Sequence, residues 1–133
     1  MRCPYCGKEA VWCENKAIYG KNYGRSYMCY YCKPCNAYVG CHQNSRRPLG
    51  TMANASLREL RKQAHSLFDP IWRERAQGGR GKLYAEISRH FGKEIHIGES
   101  DEATCKQIIG WCLEKRKSIK ALCGEILKQE DGE

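Results

Sequence analysis

No apolar stretch of this 133-residue chain approaches the ~20 residues that a membrane-spanning helix requires, so no membrane partner is expected. No leader is expected, since Met1-Arg2-Cys3-Pro4 does not read as a charged and then apolar segment. The expected setting is therefore the cytoplasm, where thiols stay reduced and paired cysteines bind metal rather than form disulfides. Carboxylates are scarce early on, with 6 of the 15 Asp and Glu in residues 1–93, and no second acidic cluster exists for a two-metal site. The P-loop pattern is absent as well. Gln77-Gly78-Gly79-Arg80-Gly81-Lys82 has the glycines but no preceding strand, and reads as a hinge. The length suits one compact unit or two very small modules, too little for an enzyme with a large buried cleft.

Cysteine is what the chain has in excess, 10 residues in all. Four of them form two knuckles, Cys3-Pro4-Tyr5-Cys6-Gly7 and Cys32-Lys33-Pro34-Cys35-Asn36. Two C-x-x-C turns brought together supply the four thiolates of one structural Zn2+. Each proline stiffens its turn, while Gly7 and Asn36 tolerate the left-handed backbone that follows the second cysteine. Short apolar segments flank the knuckles: Ala10-Val11-Trp12-Cys13, Tyr27-Met28-Cys29-Tyr30-Tyr31 and Asn36-Ala37-Tyr38-Val39-Gly40-Cys41-His42 read as strands. The second knuckle is then a hairpin turn, and the ensemble is a zinc ribbon in which metal substitutes for a core too small to fold alone.

Cys29-x-x-Cys32-x-x-Cys35 departs from the bacterial iron–sulfur run, because the next cysteine falls too far on and lacks a following proline. Cys13 and Cys29 read as small buried hydrophobes. Cys41 and His42, adjacent on a strand end, point to opposite faces. They are either satisfied structural residues or, with His65, a second polar site.

Positive charge is the other excess. The net charge is +8; residues 1–93 hold 17 of the 23 Lys and Arg. Such polarity suits a polyanion, DNA or RNA, and equally a solvated basic surface. The candidate phosphate contacts are Lys21 and Arg25, in a loop that interleaves Tyr19 and Tyr23 with glycines, the Arg46-Arg47 pair of the connector 43–52, and Arg58, Arg61 and Lys62 on the outer face of a helix.

That helix spans 54–68, capped by Ser56 with Glu59 or by Asn54, and lines Leu57, Leu60, Ala64, Leu67 and Phe68 along one face. Asp69-Pro70 ends it and begins another. A third helix covers 83–91, stopped by Gly92; Ser100 caps the last, with Ile108, Ile109, Cys112 and Leu113 inward. The pattern continues through Ile119, Leu122, Ile126 and Leu127, with a break possible at Gly124; Cys105, Cys112 and Cys123 have core spacing. The fold class is a small α+β protein: a zinc-ribbon-like module over 1–48 and a helical domain of three to four helices over 49–133 packed against it.

The knuckles together with Tyr38-Val39-Gly40-Cys41-His42, Pro48-Leu49-Gly50-Thr51, Ala53-Asn54, Leu57-Arg58, Arg61, Ala64-His65 and Phe68-Asp69-Pro70-Ile71-Trp72 resemble a family of small zinc-finger-containing proteins of phages and prophages. The resemblance covers most of residues 1–73 and extends loosely to His96-Ile97-Gly98. It implies a metal-binding finger on a helical body, of unknown biochemical role, in a host-cell cytoplasm. Cys41, His42 and His65 match that pattern; Cys13, Cys29, Cys105, Cys112 and Cys123 do not.

Three functions follow. The first is a zinc-stabilised accessory protein that binds nucleic acid through its basic surface. The second, implied by the resemblance, is a phage protein that binds and inhibits a host defence protein. The third is a small metal-dependent nuclease using His42, His65 and Asp69, disfavoured by the missing carboxylates. No catalytic residue is assigned. Four thiolates close the zinc shell, so the metal is scaffold and function lies on what it holds in place.

Overall fold

A computed structural model describes residues 1–131, with side chains through Ala121. Three short strands, β1 (Val11–Glu14), β2 (Met28–Cys32) and β3 (Ala37–Gly40), form an antiparallel sheet in the order β1-β2-β3. Helices follow: α1 (Lys16–Tyr19) lies between β1 and β2, and α2 (Ala55–Arg73), α3 (Gly79–Phe91) and α4 (Glu102–Asp131) come after the sheet. The fold is α+β. It divides into two compact units, residues 1–59 and 60–133.

In the first unit strand alternation decides which residues join the main core cluster, and Cys29 is buried on the other side. Cys32, Ala37 and Val39 turn inward onto Cys3, Ala10 and Met52, with Tyr30 and Cys35 partly covered. The loop expected around Tyr19 and Tyr23 contains the single turn of α1, closed by the left-handed Gly20. The connector 43–52, a linker by composition, is knitted to β3 instead: Cys41 bridges Pro48, the Leu49 N–H donates to the Gly40 carbonyl at 2.9 Å, and the His42 N–H donates to Arg47 at 2.9 Å. Its backbone groups find strand partners, which polar side chains alone do not reveal.

In the second unit Ala64, Phe68 and Ile71 of α2, Leu83 and Ile87 of α3, Ile95, Ile97, and Ile108 and Cys112 of α4 form one buried cluster. Several boundaries differ from the sequence expectation. Asp69-Pro70 does not end α2, which runs on to Arg73 with Pro70 inside it. Proline removes one intrahelical bond, and burial of Ile71 with a 2.9 Å bond from the Trp72 indole N–H to Asp69 holds the last turn in place. Asp69 therefore works as a side-chain partner on a continuous helix and not as a cap. Asn54 is the α2 cap, accepting the Leu57 N–H at 3.0 Å, and Asp101, not Ser100, caps α4 by accepting the Thr104 N–H at 2.8 Å. Ser100 is instead tied to the His96 carbonyl at 2.7 Å.

The predicted hinge at 77–82 is a tight turn. Gly78 is left-handed, and α3 begins at Gly79, where a Cβ would stand 2.8 Å from both the Trp72 carbonyl and the Arg75 Cβ. Between α3 and α4 lies one turn of 3-10 helix, Ile97–Glu99. Leu113 is 46% exposed and not on the inner face. Helix α4 continues through Gly124 unbroken; the inward placement of Leu122, Cys123, Ile126 and Leu127 lies outside the described side chains. No helix among the described residues is long and apolar enough to cross a membrane.

Candidate functional site

The metal centre is built from the two turns. In the first, the Gly7 N–H returns to the Cys3 carbonyl at 2.9 Å with Gly7 at φ +74°. In the second, the Asn36 N–H returns to Lys33 at 3.1 Å with Asn36 at φ +49°. Both turns take the left-handed residue they were expected to need. The sulfurs of Cys3, Cys6, Cys32 and Cys35 lie within 4.8 Å of one another, with Cys6 Sγ and Cys32 Sγ 3.7 Å apart. A tetrahedral zinc with bonds near 2.3 Å spaces its sulfurs about 3.8 Å apart, so the set fits the ion as it stands. Burial pushes the Cys3 thiol up, but the Tyr5 and Cys6 backbone N–H groups and the neighbouring thiols outweigh it and bring it down to about 7. These four cysteines are the ligands for one structural zinc ion. Four thiolates leave no open position, so the ion supplies rigidity and not reaction chemistry.

Among the described side chains, the other cysteines are packing residues. Cys13 and Cys29 are cross-strand partners, and burial followed by the Cys13 neighbour pushes the Cys29 thiol up to about 12. Cys105 and Cys112 are fully buried in the helical unit. Cys41 is buried and His42 exposed. Burial raises the Cys41 thiol against the opposing Trp12 indole, and the thiol points to the Arg46 carbonyl at 3.9 Å. His65, in the second unit, stands 3.7 Å from Asp69 across one turn of α2. That pairing exists because α2 does not stop at Pro70.

The basic residues fall into two kinds. Arg58 and Arg61 are tied to distant main chain. Arg58 donates to the Asn36 carbonyl at 2.6 Å and the Ala53 carbonyl at 2.8 Å while lying over the Tyr38 ring at 4.1 Å. Arg61 donates twice to the Ser100 carbonyl, at 3.2 and 3.0 Å. Lys21, Arg25, Arg46, Arg47 and Lys62 have exposed side chains. Lys21 lies over Tyr23 at 5.2 Å, and Arg46 stacks on Trp12 at 4.2 Å.

Arg25 and Arg46 share a cleft of about 640 Å3 with Trp12, Glu14, Asn44 and Ser45. The Glu14 carboxylate in it is held below its usual range by the Asn22 amide at 2.7 Å, and next by Lys16. From sequence Trp12 is only part of a strand. Its signal was present in the alternation Trp12-x-Glu14, which puts the indole on the same face as a charge.

No curated protein and no solved structure matches the chain. A family model for a zinc-finger-containing domain matches residues 1–115, and the chain belongs to that family, DUF3268.

Proposed function

We propose that this protein is a zinc-stabilised nucleic-acid-binding accessory protein of the phage type, acting in the host cytoplasm, with the first unit as its main contact. The observation that carries the reading is the cleft that Arg25 and Arg46 both line, with Arg46 stacked on the Trp12 indole. Arginine presents a planar fork to phosphate, and stacking on an indole presets the guanidinium without neutralising it. Arg47 is the next residue along and is exposed. Lys21 adds charge on the neighbouring loop, and Lys62 adds it on the second unit. Arg58 and Arg61 contribute charge to their surroundings while their donors serve the fold.

The test is the Arg46→Gln/Arg47→Gln double variant in a salt series with duplex and single-stranded oligonucleotides. The fold is expected to survive, because Tyr30 and His42 bond the carbonyls of Arg46 and Arg47 and not their side chains. Each lost phosphate contact reduces the slope of log affinity against log salt by about 0.7 to 0.9. A salt-independent affinity, or none at low salt for any oligonucleotide, overturns the reading.

A further inference from the structure

On the sheet side opposite Cys32, Ala37 and Val39, which also carries the buried Cys29, the first unit has a row of aromatic side chains. Cys32, Ala37 and Val39 turn inward, so alternation sends Tyr31 and Tyr38 to the other side. Val11, Tyr31 and Tyr38 are register partners across the three strands, and Val11 is 62% exposed. The row continues off the sheet onto α1 and its loop. Ring centroids of Tyr31 and Tyr38 are 6.3 Å apart, those of Tyr38 and Tyr19 6.0 Å, and those of Tyr19 and Tyr23 5.6 Å. Tyr19 and Tyr23 are 46% and 50% exposed. Cations flank the row, with Arg58 over Tyr38 and Lys21 over Tyr23.

We infer that this tyrosine row is a stacking platform for a single-stranded polynucleotide. The inference rests on the nucleic-acid reading above and names the strand state that the protein takes. Three observations support it. Residues 1–59 hold nine Lys and Arg against three Asp and Glu, and the closed zinc–thiolate centre offsets only two of those charges, so the unit carrying the row favours a polyanion. Ring spacing is the second. Neighbouring tyrosines are 5.6 to 6.3 Å apart with planes crossing at 75° to 87°, whereas bases in a duplex strand rise about 3.4 Å each. Only bases splayed from their stack can meet such rings. Third, the Tyr19 ring stays neutral: burial, then the Tyr38 hydroxyl at 3.1 Å, pushes its phenol up to about 12. Stacking with phosphate pairing does not depend on base identity, so a sequence-tolerant strand is the expected occupant.

The experiment uses the zinc-loaded full chain and a fluorescein-labelled oligo-dT of about 15 nucleotides, a length that covers one such site. Anisotropy is read for wild type, for Tyr19→Leu/Tyr23→Leu and for Tyr19→Phe/Tyr23→Phe, with a duplex of equal length and a polyglutamate of similar length as competitors. The leucine pair keeps apolar bulk and is expected to weaken oligo-dT binding on the order of tenfold, the loss of about one stacked base. The phenylalanine pair retains wild-type affinity, and neither competitor displaces the strand at comparable concentration. Equal binding of the leucine and wild-type proteins overturns the platform, as does displacement by duplex or polyglutamate as effective as by oligo-dT. If either of these occurs while oligonucleotide binding and its salt slope persist, the nucleic-acid reading stands and the platform alone falls. If wild type binds no oligonucleotide at low salt, both fall.

A substituted oligo-dT carrying 5-bromodeoxyuridine, photocrosslinked to wild-type protein, needs no variant to fold. Adducts on Tyr19, Tyr23, Tyr31 or Tyr38 support the platform, and adducts confined to other residues overturn it.

Discussion

Two glycines two residues apart at the start of α3 should respond to alanine with opposite signs. At Gly79 an added Cβ meets the Trp72 carbonyl and the Arg75 Cβ at 2.8 Å each. The carbonyl belongs to the end of α2 and has no side-chain freedom with which to withdraw. Backbone must move, and overpacking of this kind costs about 1–3 kcal/mol. At Gly81 a Cβ meets nothing within 4 Å, so Gly81→Ala should gain about 0.5 kcal/mol through helix propensity and the smaller entropy of the unfolded chain. For a unit of this size each kcal/mol shifts the melting midpoint by about 4–8 °C. Far-UV circular dichroism melts of the zinc-loaded protein should place Gly79→Ala at least about 4 °C below wild type and Gly81→Ala slightly above it. A Gly79→Ala protein that melts with or above wild type would mean that the α2–α3 turn yields to the added Cβ and is a hinge after all.

Cys32→Ser should abolish stoichiometric zinc by metal analysis and remove hydrogen-exchange protection from residues 1–59, while amides of the α3 and α4 core remain protected; acid should release the metal, since protons compete for the thiolates. Asn54→Ala should cost about 1 kcal/mol in chemical denaturation, whereas Ser56→Ala, which tests the rival cap, should stay within about 0.5 kcal/mol. Burial pushes the Cys112 thiol up to about 11, so its contribution is fully present below the unfolded value near 8.5 and is lost as pH rises through the folded value. Wild type should accordingly lose more stability than Cys112→Ala between pH 7.5 and pH 10.5, and equal losses would show that this thiol is not the source.

How much was legible in the sequence depends on how far each feature reaches along the chain. The knuckles were readable because each is a three-residue spacing and thiolate chemistry restricts what four such ligands can do. Helix ends were less so. Ser56 and Asn54 both satisfy the capping pattern, and which one meets an N–H depends on where the backbone turns. Pro70 carries a local stop signal that loses to burial of Ile71 and the Asp69–Trp72 bond. Gly78 and Gly79 look like flexibility until Trp72 and Arg75 lie against them.

For the basic residues the same division holds. Sequence alone determined that this is a zinc-knuckle protein with excess positive charge in its first two-thirds and amphipathic helices after it, since composition and short periodicities are local properties. Tertiary structure decided which cations remain available. Arg58 and Arg61 look like Arg46 and Arg47 in the chain, yet their donors reach carbonyls 22 and 39 residues away. The aromatic row was decided in the same way: Tyr31 and Tyr38 come from paired strands and Tyr19 and Tyr23 from the helix and loop between β1 and β2, and only the antiparallel register aligns them.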